Sequence, residues 1–165
     1  MRVKLNLGCG EDIRPEYVNC NIRIVRGVDV QLDLEHASLP FRSESADEIL
    51  LKDALEHVSW RKVDLVLKEC FRILKPGGTV TIQAPDLEAI AKKVILDPDF
   101  RYGDLYGYKA ISFWVYGGQD YPENTHKAGF TIPTLTRLLE EIGFKVESIE
   151  NDGGTNLICV ASKPR

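Results

Sequence analysis

Five short stretches carry the residues of this chain that could do chemistry. Gly8-Cys9-Gly10 follows the apolar run VKLNL, and Asn21-Ile22 close the run YVNCNI. Asp33-Leu34 follow VDVQL, Asp53-Ala54-Leu55-Glu56-His57 follow DEILL, and His126 lies in YGGQDYPENTHKAGFT. A glycine turn after a strand lets backbone approach a ligand, because no Cβ intervenes and positive φ is tolerated. The Asn21 amide and the carboxylates of Asp33 and Asp53 offer hydrogen-bond acceptors. His57 and His126 are groups that can take up a proton near neutral pH. These residue types suit a nucleoside-like ligand and a proton transfer. Alone, the Gly-x-Gly turn does not choose between nucleotide-like ligands, and Asp12 stands where a third glycine would complete a longer motif.

The elements that must position these residues alternate along the chain. Strands are expected at 3–7, 17–22, 28–32, 47–51, 78–84, 144–150 and 156–162. A helix is expected over 60–74, where Val63, Val66, Leu67, Cys70, Phe71 and Leu74 repeat as one buried stripe. Ser59 is its candidate cap, and Lys75-Pro76-Gly77-Gly78 is its stop. A second helix over about 132–142 buries Leu135, Leu138, Leu139 and Ile142, with Thr131 as cap and Gly143 as left-handed terminator. Residues 86–95 form a third amphipathic segment through Leu87, Ile90, Ala91, Val94 and Ile95.

Strands separated by helices predict a parallel sheet covered on both faces. The last two strands are joined only by Asn151-Asp152-Gly153-Gly154-Thr155. Parallel neighbours need a crossover of roughly a dozen residues, so this link is an antiparallel hairpin. The expected fold is therefore α/β: a doubly wound, mostly parallel seven-stranded sheet ending in a C-terminal antiparallel hairpin, three layers αβα. It is expected to form one domain over 1–165.

The segment from Phe100 to Tyr121 holds eight aromatic residues, several glycines and no sustained period. It is read either as a lid or substrate wall over 100–126, or as padding at the sheet edge.

Composition narrows the function classes. Of 165 residues 44% are hydrophobic and 28% charged, and the formal charge is −4 from 21 basic and 25 acidic residues. With no long basic run, a general nucleic-acid or anionic-membrane surface is not expected. No apolar run reaches the ~18 residues of a membrane span, and strand pattern begins by residue 3, which leaves no room for a signal peptide. Cys9, Cys20, Cys70 and Cys159 stand apart with no CxxC pair. They read as reduced core residues of a cytoplasmic protein, and no metal site is expected.

Taken together, LNLGCG, DVQLDLEHASLPFRSESADEILLKDALEHV and KECFRILKPGGTVTIQAPDL resemble the class I S-adenosylmethionine-dependent methyltransferases over nearly the whole chain. The resemblance implies S-adenosylmethionine as cofactor and S-adenosylhomocysteine as product. By position, Gly8, Cys9 and Gly10 would border the methionine and ribose, and Asn21, with Ile22 beside it, falls where the family has its ribose-binding acid. Asp33 would accept from the adenine amino group with Leu34 beside the ring, unless Asp33 only caps the following loop. Asp53 belongs to a segment that lines the floor under the sulfonium. His126 and His57 are the catalytic candidates.

A neutral amide at position 21 loses one charge-assisted bond to ribose, worth about 1–2 kcal/mol or roughly tenfold in affinity. The implied reaction is in-line methyl transfer to a small-molecule acceptor, covered by the aromatic segment or by a second subunit in a homodimer. Two alternatives stay open at this point. One is a cofactor-poor relative acting as a binding or regulatory module. The other is a nicotinamide-dependent oxidoreductase, disfavoured by a first crossover of only residues 8–16.

Overall fold

In a computed structural model, which describes residues 2–36 and 38–165, one seven-stranded sheet organises the chain. Its strands are β1 (Lys4–Leu7), β2 (Val18–Asn21), β3 (Val30–Gln31), β4 (Ala46–Lys52), β5 (Leu74–Pro85), β8 (Lys145–Asn151) and β9 (Asn156–Ser162). They lie in the order β3-β2-β1-β4-β5-β9-β8. The first five are parallel; β9 runs antiparallel between β5 and β8. The expected sheet and closing hairpin are both present. This order differs from the doubly wound dinucleotide pattern, in which the sixth strand sits beside the fifth. The nicotinamide alternative loses its structural support here.

The helices are α1 (Val63–Ile73), α2 (Leu87–Leu96), α3 (Tyr108–Tyr116) and α4 (Ile132–Ile142). On α1, Val63, Val66, Leu67 and Cys70 of the expected stripe are buried, Phe71 is half-buried, Leu74 already belongs to β5, and Ile73 is buried in addition. Its start is corrected: Lys62 occupies the cap position without a side-chain bond, and Ser59 instead accepts from the Lys62 N–H through its carbonyl, 2.7 Å away. The helix therefore begins three residues late, because Ser59 is engaged in a turn. After α1 the backbone pairs at once, Leu74 with Ala46. Residues 75–78 then bulge out before Thr79 rejoins Glu48, so the Lys-Pro-Gly-Gly turn lies inside β5.

Helix α4 matches its prediction. Thr131 accepts from the Thr134 N–H, and Gly143 ends the helix at φ 112°, ψ 5°. Helix α2 is capped by Asp86, whose Oδ1 accepts from the backbone N–H of Glu88 and Ala89. Its expected apolar stripe is not buried as a stripe. Ile90 is covered, whereas Ile95 and Leu96 are 78% and 83% exposed.

Residues 100–121 do contain regular structure, against expectation. Strands β6 (Arg101–Tyr102) and β7 (Leu105–Tyr106) form a small hairpin ahead of α3. Only Ala110 of α3 is fully buried, so no buried stripe marks this helix in the sequence. Its aromatics pack on one another: Tyr102 stacks on Phe113 at 5.0 Å and meets Trp114 edge-on at 4.8 Å. Among the described residues no helix is long and apolar enough to cross a membrane.

The core sits on the sheet. Leu5, Leu7, Ile49, Leu51, Val80 and Ile82 meet Val66, Leu67 and Cys70 of α1 and Leu135 and Leu139 of α4 in one cluster. All four cysteines are buried and unpaired, as expected. The links β1–β2 and β2–β3 contain no helix among the described residues, only turns. A buried amide pair shapes the first of them. Asn6 Nδ2 donates to Asn19 Oδ1 (3.1 Å) and to the Asp12 carbonyl (2.8 Å), and Asn19 Oδ1 accepts from the Arg14 N–H (3.0 Å).

Candidate active site

The turn after β1 is held from below. The N–H groups of Gly8 and Cys9 both donate to the Cys20 carbonyl, at 2.9 and 3.0 Å, which fixes the turn to β2. Gly8 has φ +73°, and a Cβ there would stand 2.6 Å from Ala54 Cβ. Glycine is required at this point by both backbone and space. Gly10 has φ +52°, and a Cβ there would meet nothing within 4 Å. The space beside it is the mouth of a cavity.

That cavity, about 660 Å³, runs along the C-terminal ends of the parallel strands. Ligands in open α/β sheets bind at this edge, and the volume falls within the usual range for small-molecule sites. Of the residues singled out from sequence, Gly8, Gly10, Asn21, Ile22, Asp33, Leu34, Asp53 and His57 all border it. Cys9 and His126 do not. The Cys9 side chain is buried, with Sγ 3.6 Å from the Gly10 carbonyl, and burial pushes its thiol pKa up. A protonated, covered thiol is inert.

Each wall has a local cause. Asn21 ends β2, and its Nδ2 donates to the Arg23 carbonyl (3.1 Å), so Oδ1 is the acceptor it can present. Asp33 follows β3 and accepts from the Glu35 N–H through Oδ1 at 2.8 Å. It thus caps the following turn while bordering the cavity. Asp29, the other acid near this end, accepts from the Asn19 N–H at 2.8 Å and serves the strand link.

Asp53 sits at φ +50°, a left-handed conformation uncommon for non-glycine residues and often found at functional sites. Its N–H donates to the Gln83 carbonyl and its carboxylate accepts from Gln83 Nε2, both at 3.0 Å. Although the residue keeps access to solvent, partial desolvation of its carboxyl raises its pKa.

A short 3-10 turn, Leu55–His57, carries the next groups. His57 Nδ1 lies 3.2 Å from the Thr125 carbonyl, and His126 Nδ1 lies 3.1 Å from the Trp114 carbonyl. The two rings meet edge to face at 5.0 Å. Burial lowers the pKa of both, and for His126 the nearby His57 lowers it further. Both are therefore neutral at pH 7. Glu56 is 2% exposed, its Oε2 finds no hydrogen-bond partner among the described residues, and burial lifts its pKa to about 8.

The far wall comes from the segment after α3. Asp120, Tyr121, Glu123, Asn124 and Lys127 border the cavity, whereas the aromatics of 100–116 do not. The Glu56 carbonyl accepts from the N–H groups of Lys127 (2.7 Å) and Ala128 (3.1 Å), which ties this segment to the 3-10 turn. Tyr121 lies under the Arg23 guanidinium at 4.2 Å, a cation–π contact that bridges the two sides of the mouth. Lys127 pairs with Glu35 at 3.2 Å, and the Ser59 N–H donates to the same carboxylate at 2.9 Å. Arg23, Glu35, Tyr121 and Lys127 were not singled out from sequence. Tyr121, the last member of the aromatic segment, and Lys127, in the stretch that carries His126, lay in segments that the sequence had marked.

The family model of the methyltransferase domain matches residues 5–82. A curated protein of Mycolicibacterium smegmatis named as an S-adenosylmethionine-dependent methyltransferase is 28% identical over 160 residues, covering 87% of this chain and 52% of its own length. The chain thus spans about half the length of that relative. Among solved structures, an S-adenosylmethionine-dependent methyltransferase of Thermotoga maritima superposes with TM-score 0.67 at 19% identity, covering 99% of this chain and 83% of that one. A Burkholderia thailandensis N-methyltransferase, solved with its substrate and S-adenosylhomocysteine, gives TM-score 0.64 at 16% identity, covering 99% and 71%. The matching domain covers β1 to β5, and over its whole length the chain shares its fold with these S-adenosylmethionine-dependent methyltransferases.

Proposed function

We propose that this chain binds S-adenosylmethionine and transfers its methyl group in line to a small-molecule acceptor. One observation carries the reading: a single cavity joins the Gly8–Gly10 turn, Asn21, Asp33-Leu34 and the Asp53–His57 turn. The residues fit the cofactor in kind. Open space beside Gly10 admits close backbone approach, and Leu32 and Leu34 supply an apolar wall between two acceptors, Asn21 and Asp33. In this reading Asp33 accepts from the adenine amino group, Leu34 covers the ring, and Asn21 offers Oδ1 to a ribose hydroxyl. Ile22 packs beside Asn21. Gly8, Cys9 and Gly10 shape the methionine end, with Cys9 acting through its fit and not through its thiol.

When bound, the cofactor supplies a methyl on an already activated sulfonium, so the chain's own work is alignment and exclusion of water. Asp53 and Ala54 form the floor at this end, and Asp120 to Lys127 form the cover. His57, neutral at pH 7 and on the cavity wall, is placed to accept a proton from an acceptor hydroxyl. His126 stands behind it and acts on His57 as a positioning residue.

Calorimetry with S-adenosylhomocysteine and with NAD tests the proposal. Saturable binding of the first and none of the second is expected. Failure of S-adenosylhomocysteine to bind at millimolar concentration would sink the reading and favour a non-catalytic module.

A further inference from the structure

We propose that Glu56, His57 and His126 form a binding site for a divalent first-row transition metal at the inner wall of the cavity. One ligand atom from each of the three lies within 4.8 Å of the others. Donors about 2.1 Å from one ion are at most about 4.2 Å apart. Side-chain movement of under about 1 Å therefore closes the set.

Two independent features point to a cation. The first is the Glu56 carboxyl, almost fully covered, with Oε2 unpartnered among the described residues. A buried polar atom without a partner is costly, and such atoms call for a missing water or ion. The second is the tautomer of both imidazoles. Each Nδ1 faces a backbone carbonyl, Thr125 for His57 and Trp114 for His126. A carbonyl can only accept, so each Nδ1 carries the hydrogen and each Nε2 keeps its lone pair. Metal-binding histidines are oriented in this way, with the other nitrogen anchored by an acceptor.

The frame is also rigid enough to hold a site. The Glu56 carbonyl accepts from two consecutive N–H groups just after His126, so the two halves of the ligand set cannot separate. The nearby cation Lys127 is paired with Glu35. Two imidazoles and a carboxylate match Zn²⁺, Co²⁺ and Fe²⁺ better than Mg²⁺ or Ca²⁺. His57 and Asp53 border the cavity, so an ion here would have its remaining positions open on that side, towards an oxygen-bearing acceptor. It would polarise that oxygen as a Lewis acid, in place of proton acceptance by His57. The site itself stands apart from the methyltransferase reading.

The test titrates Co²⁺ into the chelator-treated chain, read by visible absorption and calorimetry, with Zn²⁺ as competitor. One saturable site per chain, displaced by Zn²⁺, is expected. Glu56→Gln and His126→Gln should each weaken Co²⁺ binding by more than about a hundredfold, beyond the 10–100-fold typical of lost supporting contacts. His36→Gln should leave it unchanged. Far-UV circular dichroism and melting of the variants report the fold; if Glu56→Gln unfolds, His126→Gln, which lies in a loop, decides. No saturable binding, equal affinity in His126→Gln, or a thiolate-to-cobalt absorption band would overturn the proposal. S-adenosylhomocysteine binding by the parent is measured alongside, so its failure would remove the methyltransferase reading and leave the metal result standing.

Discussion

Adding one methyl group at Gly8 and at Gly10 should have opposite consequences, although the two glycines are two residues apart. Both have positive φ, +73° and +52°. Alanine in the left-handed region costs about 1–2 kcal/mol, offset by about 0.4–1 kcal/mol from the lower entropy of the unfolded chain. Gly10→Ala meets nothing within 4 Å, so its net cost is that difference alone, about 1 kcal/mol. Gly8→Ala places Cβ 2.6 Å from Ala54 Cβ, and a methyl has no rotamer with which to yield. The turn is also tied down by the Gly8 and Cys9 bonds to the Cys20 carbonyl. Overpacking of this kind costs a further 1–3 kcal/mol or so, about 2–4 kcal/mol in all.

At roughly 2–4 °C per kcal/mol for a chain of this size, Gly8→Ala should lower Tm by about 5–15 °C and Gly10→Ala by about 2–4 °C. Binding should reverse the order of interest. In Gly10→Ala the new methyl stands in open space at the cavity wall, so S-adenosylhomocysteine affinity should fall sharply while the fold persists. Thermal melts and calorimetry on the two variants read both quantities. Equal Tm losses, or full cofactor affinity in Gly10→Ala, would refute the assignment of Gly8 to packing and Gly10 to the ligand.

Three other expectations follow from the same geometry. Asp33→Ala should weaken S-adenosylhomocysteine more than Asn21→Ala, and Asn21→Asp should tighten it by up to about tenfold; equal losses in the two alanine variants would show that Asp33 only caps its turn. Tyr121→Ala removes the cation–π bridge to Arg23, worth about 0.5–1 kcal/mol at an exposed site, and should speed cofactor dissociation more than it lowers Tm. Unchanged dissociation in stopped-flow measurements would mean that residues 120–127 do not retain the ligand. Glu69 receives a two-pronged contact from Arg72, 2.7 Å on each oxygen, and accepts from the Leu39 N–H, so its pKa is held below 4.5. A depressed folded-state pKa stabilises above the unfolded value and is lost as pH falls through the folded one. Glu69→Gln should therefore cost about 1–2 kcal/mol at pH 7 in urea melts, with the gap between parent and variant holding above the unfolded-state value of about 4.3 and closing as pH falls through the lower folded one.

Much of this was legible in residue order. Periodicity located α1 and α4 because each must bury a stripe, and the helix-free link at 151–155 forced β8 and β9 to be antiparallel. Patterns failed where burial did not follow period. Helix α3 buries only Ala110, and α2 leaves Ile95 and Leu96 in solvent, so neither advertises its inner face. The aromatic segment was ambiguous in a similar way. Composition left the eight aromatics readable as a wall or as padding; seven of them, all within 100–116, do not border the cavity, and Tyr121 alone borders it.

The sequence by itself determined the order of strands and turns, and hence that Gly8, Gly10, Asn21, Asp33 and Asp53 share one edge. Residues at the C-terminal ends of adjacent parallel strands must converge there. Tertiary structure decided which of them face the cavity, because side-chain direction depends on how each turn is tethered: Cys9 turns inward beneath the loop, and Asp29 is taken by Asn19. It also decided what stands together across long separations. Arg23 meets Tyr121, and the adjacent Glu56 and His57 meet His126 through two backbone bonds from residues 127 and 128. No spacing in the chain encodes those meetings, since they arise only when the segment after α3 is laid across the end of β4.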